Sequence, residues 1–166
     1  MKIYADTNFI ARLYLPQFSH EFAADTMQAL HTGALAPLPL TPLLEMEVTN
    51  AWELYVFFGK QPHHPIVSPA QAAAAHADFR DDIRAGLIYR PEEVPSRRLV
   101  RAVEELTLRH TARHGCRAYD LIHVASALEL DCREFWTFDL RAMSLAEKEG
   151  LTIPPPLKRL ARRMAK

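Results

Sequence analysis

Apolar residues follow two alternating rhythms along this chain. Short apolar runs, bounded by polar or turn-forming residues, predict strands at Ile3 to Ala5, Leu35 to Leu40, Leu87 to Tyr89, Glu134 to Phe138 and Leu151 to Ile153. Pro37 and Pro39 mark the second as an edge or an irregular path, because proline cannot donate to a ladder. Between these runs the apolar positions recur at helical spacing. One helix is predicted from about Asn8 to Tyr14, stopped by Pro16. Another runs from about His20 to His31, with Ala23, Met27 and Leu30 on one face and Gly33 behind it. Thr41-Pro42 pairs a capping hydroxyl with a proline at the first helical position, so a helix should run from there to Phe58 with Gly59 as its stop. After the loop Gln61 to Pro65, Ser68-Pro69-Ala70-Gln71 forms a capping box that opens an alanine-rich helix ending near Gly86. A helix from about Ser96 to His114 carries Leu99, Val103 and Leu106 on one stripe and closes at Gly115. Two more span Asp120 to Leu130 and Leu140 to Gly150. Strand and helix alternating in this way predict an α/β fold, a parallel sheet covered by helices.

Composition bounds what such a fold can be. With 166 residues, 49% hydrophobic and 24% charged, one domain is expected over residues 1–153, long enough to bury a core without disulfides or a structural metal. A metal would then serve chemistry. Cys116 and Cys132 are too few for a disulfide framework or a cysteine-rich zinc site, and they suit a reducing cytosol as buried, inert thiols. Asp6 and Arg12 interrupt the only N-terminal stretch that resembles a secretory segment, and Gly33, Pro37, Pro39 and Pro42 break the longest uncharged run, Thr26 to Leu44. Neither export nor membrane insertion is expected, and the predicted location is the cytoplasm. Net charge is zero, but Lys158, Arg159, Arg162, Arg163 and Lys166 place five positive charges in a tail set off by Pro154-Pro155-Pro156. A tail at 154–166 of that kind can hold a polyanion by counterion release, or simply keep the chain solvated.

The acids carry the candidate chemistry. Asp6 and Asp139 each end a predicted strand just before a helix, and the carboxyl ends of parallel strands border the crevice where ligands bind. Aspartate is also a favoured N-cap, and Asp120 opens a helix too, so capping competes with ligand binding at all three. Glu47 lies beside a stripe of Leu44, Val48, Ala51, Tyr55 and Phe58, where a carboxylate needs a compensating charge; no Lys or Arg occurs between Arg12 and Lys60, so the partner is a cation or a distant basic side chain. If the four acids share a crevice, their repulsion calls for cations. Oxygen-only ligands suit Mg²⁺ or Mn²⁺, and no Ser-His or Cys-His nucleophile competes with a metal-activated water acting on a phosphodiester.

The strings Tyr4-Ala5-Asp6-Thr7-Asn8, Leu40-Thr41-Pro42 followed by Glu47-Val48, Tyr119-Asp120-Leu121-Ile122-His123-Val124-Ala125-Ser126-Ala127, and Phe135-Trp136-Thr137-Phe138-Asp139 resemble the acidic motifs of PIN-domain nucleases, in their usual order. The resemblance covers residues 1–153. It implies a three-layer αβα sandwich around a mainly parallel sheet, a divalent-metal site on Asp6, Glu47, Asp120 and Asp139, and endonucleolytic cleavage of RNA. It further implies the biology of VapC-like toxins, with a small antitoxin protein as partner and a homodimer as the assembly, for which Trp52, Phe57 and Phe58 offer apolar helix surface.

Around the acids, Thr7, Asn8 and Thr137 are candidates to hydrogen-bond a ligand carboxylate, a metal-bound water or a phosphate. Thr137 would share a strand face with Asp139 by the period of two, although a β-branched residue is ordinary in a strand. Arg117 is a candidate phosphate contact or a surface ion pair, and His123 reads as a hydrogen-bonded core histidine. Two other functions compete. A PIN-like module could hold RNA or a protein partner without cutting, or the nuclease could process RNA as housekeeping. A haloacid-dehalogenase phosphohydrolase also begins with a strand-end Asp but needs a second Asp two residues later, where this chain has Asn8.

Overall fold

Two parallel strand pairs, each accompanied by helices, carry the fold in the computed structural model, which describes residues 2–18, 21–61 and 64–164. The predicted helix start at His20, the loop position His63 and the tail residue Lys166 lie outside the described residues. In chain order the elements are β1 (Ile3–Ala5), α1 (Thr7–Leu13), a 3₁₀ turn (Pro16–Phe18), α2 (Glu21–His31), β2 (Leu38–Leu40), α3 (Pro42–Phe58), α4 (Pro69–Ala85) and β3 (Tyr89–Pro91). They continue with α5 (Ser96–Leu106), a π turn (Thr107–Thr111), α6 (Ala112–His114), α7 (Ala118–Glu129), β4 (Glu134–Trp136), α8 (Leu140–Lys148) and α9 (Pro155–Met164). The class is mixed α/β, as the alternation predicts. Where one sheet is expected, the strands form two separate two-stranded parallel ladders. The chain divides into two compact units, Met1–Asp6 with Glu92–Lys166, and Thr7–Pro91.

In the first unit β1 pairs with β4, placing Tyr4 opposite Phe135 and Ala5 opposite Trp136. The two rings stack at 5.7 Å with planes 3° apart. All of β1 is buried, which is why its sequence is an unbroken apolar run rather than an alternation. The expected strand at Leu151 to Ile153 is reduced to a single bridge, Thr152 to Glu134, with Leu151 and Ile153 buried on either side. Behind the strands α7 buries Leu121, Val124 and Ala125, and His123 meets the Tyr4 hydroxyl through Nδ1 at 3.0 Å, the core histidine anticipated. The helix predicted from Ser96 to His114 is interrupted by the π turn, where the Thr107 hydroxyl donates back to the Val103 carbonyl at 2.7 Å, and it closes on Gly115 at φ 60°. The C-terminal segment differs from the tail expected there. Pro155–Met164 is helix α9, with Leu157 and Ala161 one turn apart and buried, and Lys158 paired with Glu147.

In the second unit β2 pairs with β3. The third strand begins two residues later than predicted, because Gly86 ends α4 in the left-handed region at φ 69° and leaves Leu87 exposed in the turn. Both predicted helix starts form. Thr41 accepts the Leu44 N–H at 3.2 Å, and Ser68 and Gln71 exchange side-chain and backbone bonds at 3.2 and 2.9 Å. Gly59 caps α3 in the right-handed region; the constraint there is close approach, since a Cβ would lie 3.0 Å from the Tyr55 carbonyl oxygen and 3.1 Å from that of Pro65. Trp52, expected at a subunit surface, is instead fully buried and donates to the Ala11 carbonyl at 2.9 Å, packed edge-on against Phe79. Burial pushes the hydroxyls of Tyr14 and Tyr89 well above the ordinary phenol range, so both stay protonated, and Tyr14 donates to Asp82 at 2.7 Å. Among the described residues no helix is long and apolar enough to cross a membrane.

Candidate functional site

The carboxyl ends of β1 and β4 lie side by side in the first unit. Beyond the Ala5–Trp136 pair, the Asp6 N–H donates to the Trp136 carbonyl at 3.0 Å, which continues the ladder by one bond and leaves Asp6 only 4% exposed. On the neighbouring chain segment β4 has ended at Trp136, so the period-of-two argument for Thr137 does not apply. Thr137 sits in the turn, fully buried, and its hydroxyl oxygen accepts the Asp139 N–H at 2.9 Å. That bond fixes the backbone from which Asp139 projects.

Asp139 caps α8. Its Oδ1 accepts both the Arg141 N–H at 2.7 Å and the Ala142 N–H at 3.2 Å, so the capping alternative is realised. Oδ2 takes part in neither bond, and the side chain is half-buried. Asp120 is the third residue of α7 rather than its first. It reaches back to accept the Arg117 N–H at 3.2 Å through Oδ2, one half of a capping box. Burial holds the Asp120 carboxyl above the ordinary aspartate range. The bond from Arg117 opposes that, the charge of Asp139 raises it further, and the guanidinium groups of Arg117 and Arg141 oppose it again. Two acids from the starts of two helices thus repel each other, with two arginines near them. Arg117 is exposed, and its contribution here is its backbone N–H and its positive field.

Glu47 and Thr7 lie in the second unit. The Thr7 hydroxyl donates to Glu47 Oε2 at 2.6 Å. Glu47 is half-buried on α3 and Asn8 half-buried on α1, whereas Glu45 is exposed in the first turn of α3, where an acid complements the helix dipole. Among the described residues, no three His, Cys, Asp or Glu side chains converge closely enough to hold a metal ion by themselves.

A cleft of about 450 Å³ in the first unit, lined by Arg113, His114, Cys116, Arg141, Ser144 and Lys148, has no counterpart in the pattern of acidic motifs. A signal for it was present: Arg141 and Lys148 are seven apart, two turns along one face of α8. Cys132 is buried as expected, whereas Cys116 is only half-buried; its thiol is held above its ordinary value, first by burial and then by the charge of Asp120. Compared with models of known protein families and with curated proteins, the chain matches none.

Proposed function

We propose that this protein is a Mg²⁺- or Mn²⁺-dependent endoribonuclease of the PIN type, the toxin of a toxin–antitoxin pair, acting in the cytoplasm. The observation that carries the reading is the Asp139 carboxylate at the start of α8, one oxygen in the cap and the other outside it, with the Asp120 carboxyl at the start of α7 held up in part by its charge. The four acidic motifs in order support it. The donor set fits a hard cation, because it is oxygen only. Mg²⁺ needs only one or two carboxylates, completing its shell with water and substrate phosphate, so two acids suffice where three do not converge.

In this reading Asp120 and Asp139 hold the cation and Asp6 supplies buried negative charge at the same strand ends, while Glu47, whose bond is to Thr7, is assigned to the acidic set by its motif alone. A bound divalent ion supplies a water of lowered pKa and withdraws charge from the phosphoryl oxygens. The protein's own part is orientation. Thr137 fixes the Asp139 backbone, the α8 N–H groups hold Oδ1 still, and the Arg117 N–H holds Asp120. A three-layer αβα arrangement, an antitoxin that blocks the site, and a homodimer built on exposed Phe57 and Phe58 belong to the same proposal. A second reading is a module that binds RNA or a protein partner without cutting it.

Purified protein should cut single-stranded RNA with Mg²⁺ or Mn²⁺ and stop when EDTA is added in excess. Cleavage that persists undiminished in EDTA, from a preparation free of other nucleases, removes the metal mechanism. RNA bound but left intact at any metal concentration selects the second reading.

A further inference from the structure

Cations without acidic partners line the cleft beside the acid pair. Among the described residues Arg113, Arg141 and Lys148 form no ion pair with a carboxylate; Arg141 reaches the Gly115 carbonyl at 3.5 Å, and Lys148 donates to the Ser144 hydroxyl at 2.7 Å. The acids closest to them along α8 and just beyond it are already engaged, Glu147 by Lys158 and Glu149 by Arg109 and His110. Three positive side chains without a carboxylate ion pair therefore line one concave site, and the charge of Arg141 is also felt by Asp120. The effect reaches His114, whose imidazole is held below its ordinary value by desolvation first and then by the charges of Lys148, His110 and Arg113.

The cleft adjoins the candidate centre. Arg141 lines the cleft with its side chain while its backbone N–H binds Asp139 Oδ1, and Cys116, also in the lining, feels the charge of Asp120. Separated positive groups along a groove, next to acids at which a phosphodiester would be cut, suit a chain of phosphates rather than a single anion. From this placement we propose that the Arg113–Arg141–Lys148 cleft seats a backbone phosphate of single-stranded RNA next to the scissile one, holding the strand in register for cleavage. The proposal rests on the nuclease reading for its substrate.

The experiment is equilibrium binding of a fluorescein-labelled single-stranded RNA in EDTA, where no cutting is expected, followed by cleavage of the same RNA and of a dinucleotide with Mg²⁺. Arg113→Gln/Lys148→Gln removes two exposed charges; Arg162→Gln/Arg163→Gln removes two exposed charges from α9 as the control. We expect the cleft variant to bind roughly tenfold more weakly, with a salt slope reduced by about 1.4 for two lost phosphate contacts. It should raise KM for the long RNA, keep kcat, and leave dinucleotide cleavage unchanged. Arg113→Lys/Lys148→Arg should restore binding. Unchanged affinity and slope, or an equal loss in the α9 control, overturns the cleft assignment. Cleft-dependent binding by a wild-type protein that cuts no RNA supports the cleft and removes the nuclease reading instead.

Discussion

The starts of α3 and α4 in the second unit and those of α7 and α8 in the first solve one problem with different chemistry. Each helix begins with N–H groups that lack partners within the helix. At α3 and α4 the hydroxyls of Thr41 and Ser68 accept one bond each and Gln71 returns one, so the capping groups are uncharged, and the first-turn acid of α3, Glu45, is exposed. At α7 and α8 the same need is met by Asp120 and Asp139, and each brings a negative charge that the cap does not consume. A strand end followed by a capped helix is therefore not a site in itself. What distinguishes the first unit is charge left over after capping, from two acids close enough to feel each other.

The sharpest way to break this comparison is to exchange charge for shape. Asp139→Asn should keep the cap, because asparagine caps about as well as aspartate, and should cut metal-dependent cleavage by more than the roughly 10–100-fold typical of losing a hydrogen-bonding partner of a metal ligand. Thr41→Ala should do the opposite, lowering stability by about 1 kcal/mol with cleavage retained. A fully active Asp139→Asn would reduce Asp139 to a cap and remove the distinction.

Next in size is a pair within one helix. Glu45 and Glu47 point about 200° apart at 3.6 residues per turn, so they cannot face the same ion. Glu47→Gln should abolish cleavage with the fold intact, and Glu45→Gln, at an exposed first-turn position, should retain most of it. The reverse result in a side-by-side RNA cleavage assay would move the assignment to Glu45.

The smallest expected effect is on stability against pH. The Asp120 carboxyl is held above its ordinary value by burial and by Asp139, so between the unfolded and folded values the native state binds more protons than the unfolded state. That contribution is present below the unfolded pKa and is lost as pH rises through the folded one. Without divalent metal, the melting temperature should therefore drift down across the range just above ordinary aspartate titration, and Asp120→Asn should flatten the drift. An unchanged slope in the variant would trace the drift to another group.

Local signals were legible in the sequence and long-range ones were not. Thr41, Ser68, Gly86 and Gly115 act on backbone a few residues away, and each stands where its neighbours predict. Strand limits depend on a partner far along the chain, so β4 stops at Trp136, two residues early, once Thr137 turns its hydroxyl to the Asp139 N–H. The three prolines and the basic run concealed α9, because only Leu157 and Ala161 mark its buried face. Trp52 was misplaced for a related reason: its indole N–H is satisfied by a carbonyl on α1 that no helical pattern reveals. At the candidate site the acids were legible by position. The cleft beside them was not, because Arg113 and His114 come from one element and Arg141 and Lys148 from another.

The π turn at Thr107–Thr111 amounts to one residue inserted into a continuous helix. In an α-helix each residue turns the chain by about 100°, so everything after the insertion is rotated by that amount relative to an uninterrupted helix. Arg113 and His114 follow directly. Their direction is thus set by a count of residues several positions upstream. Deleting the exposed Leu108 would restore an ordinary helix and swing both side chains away from the cleft without changing a single residue in its lining.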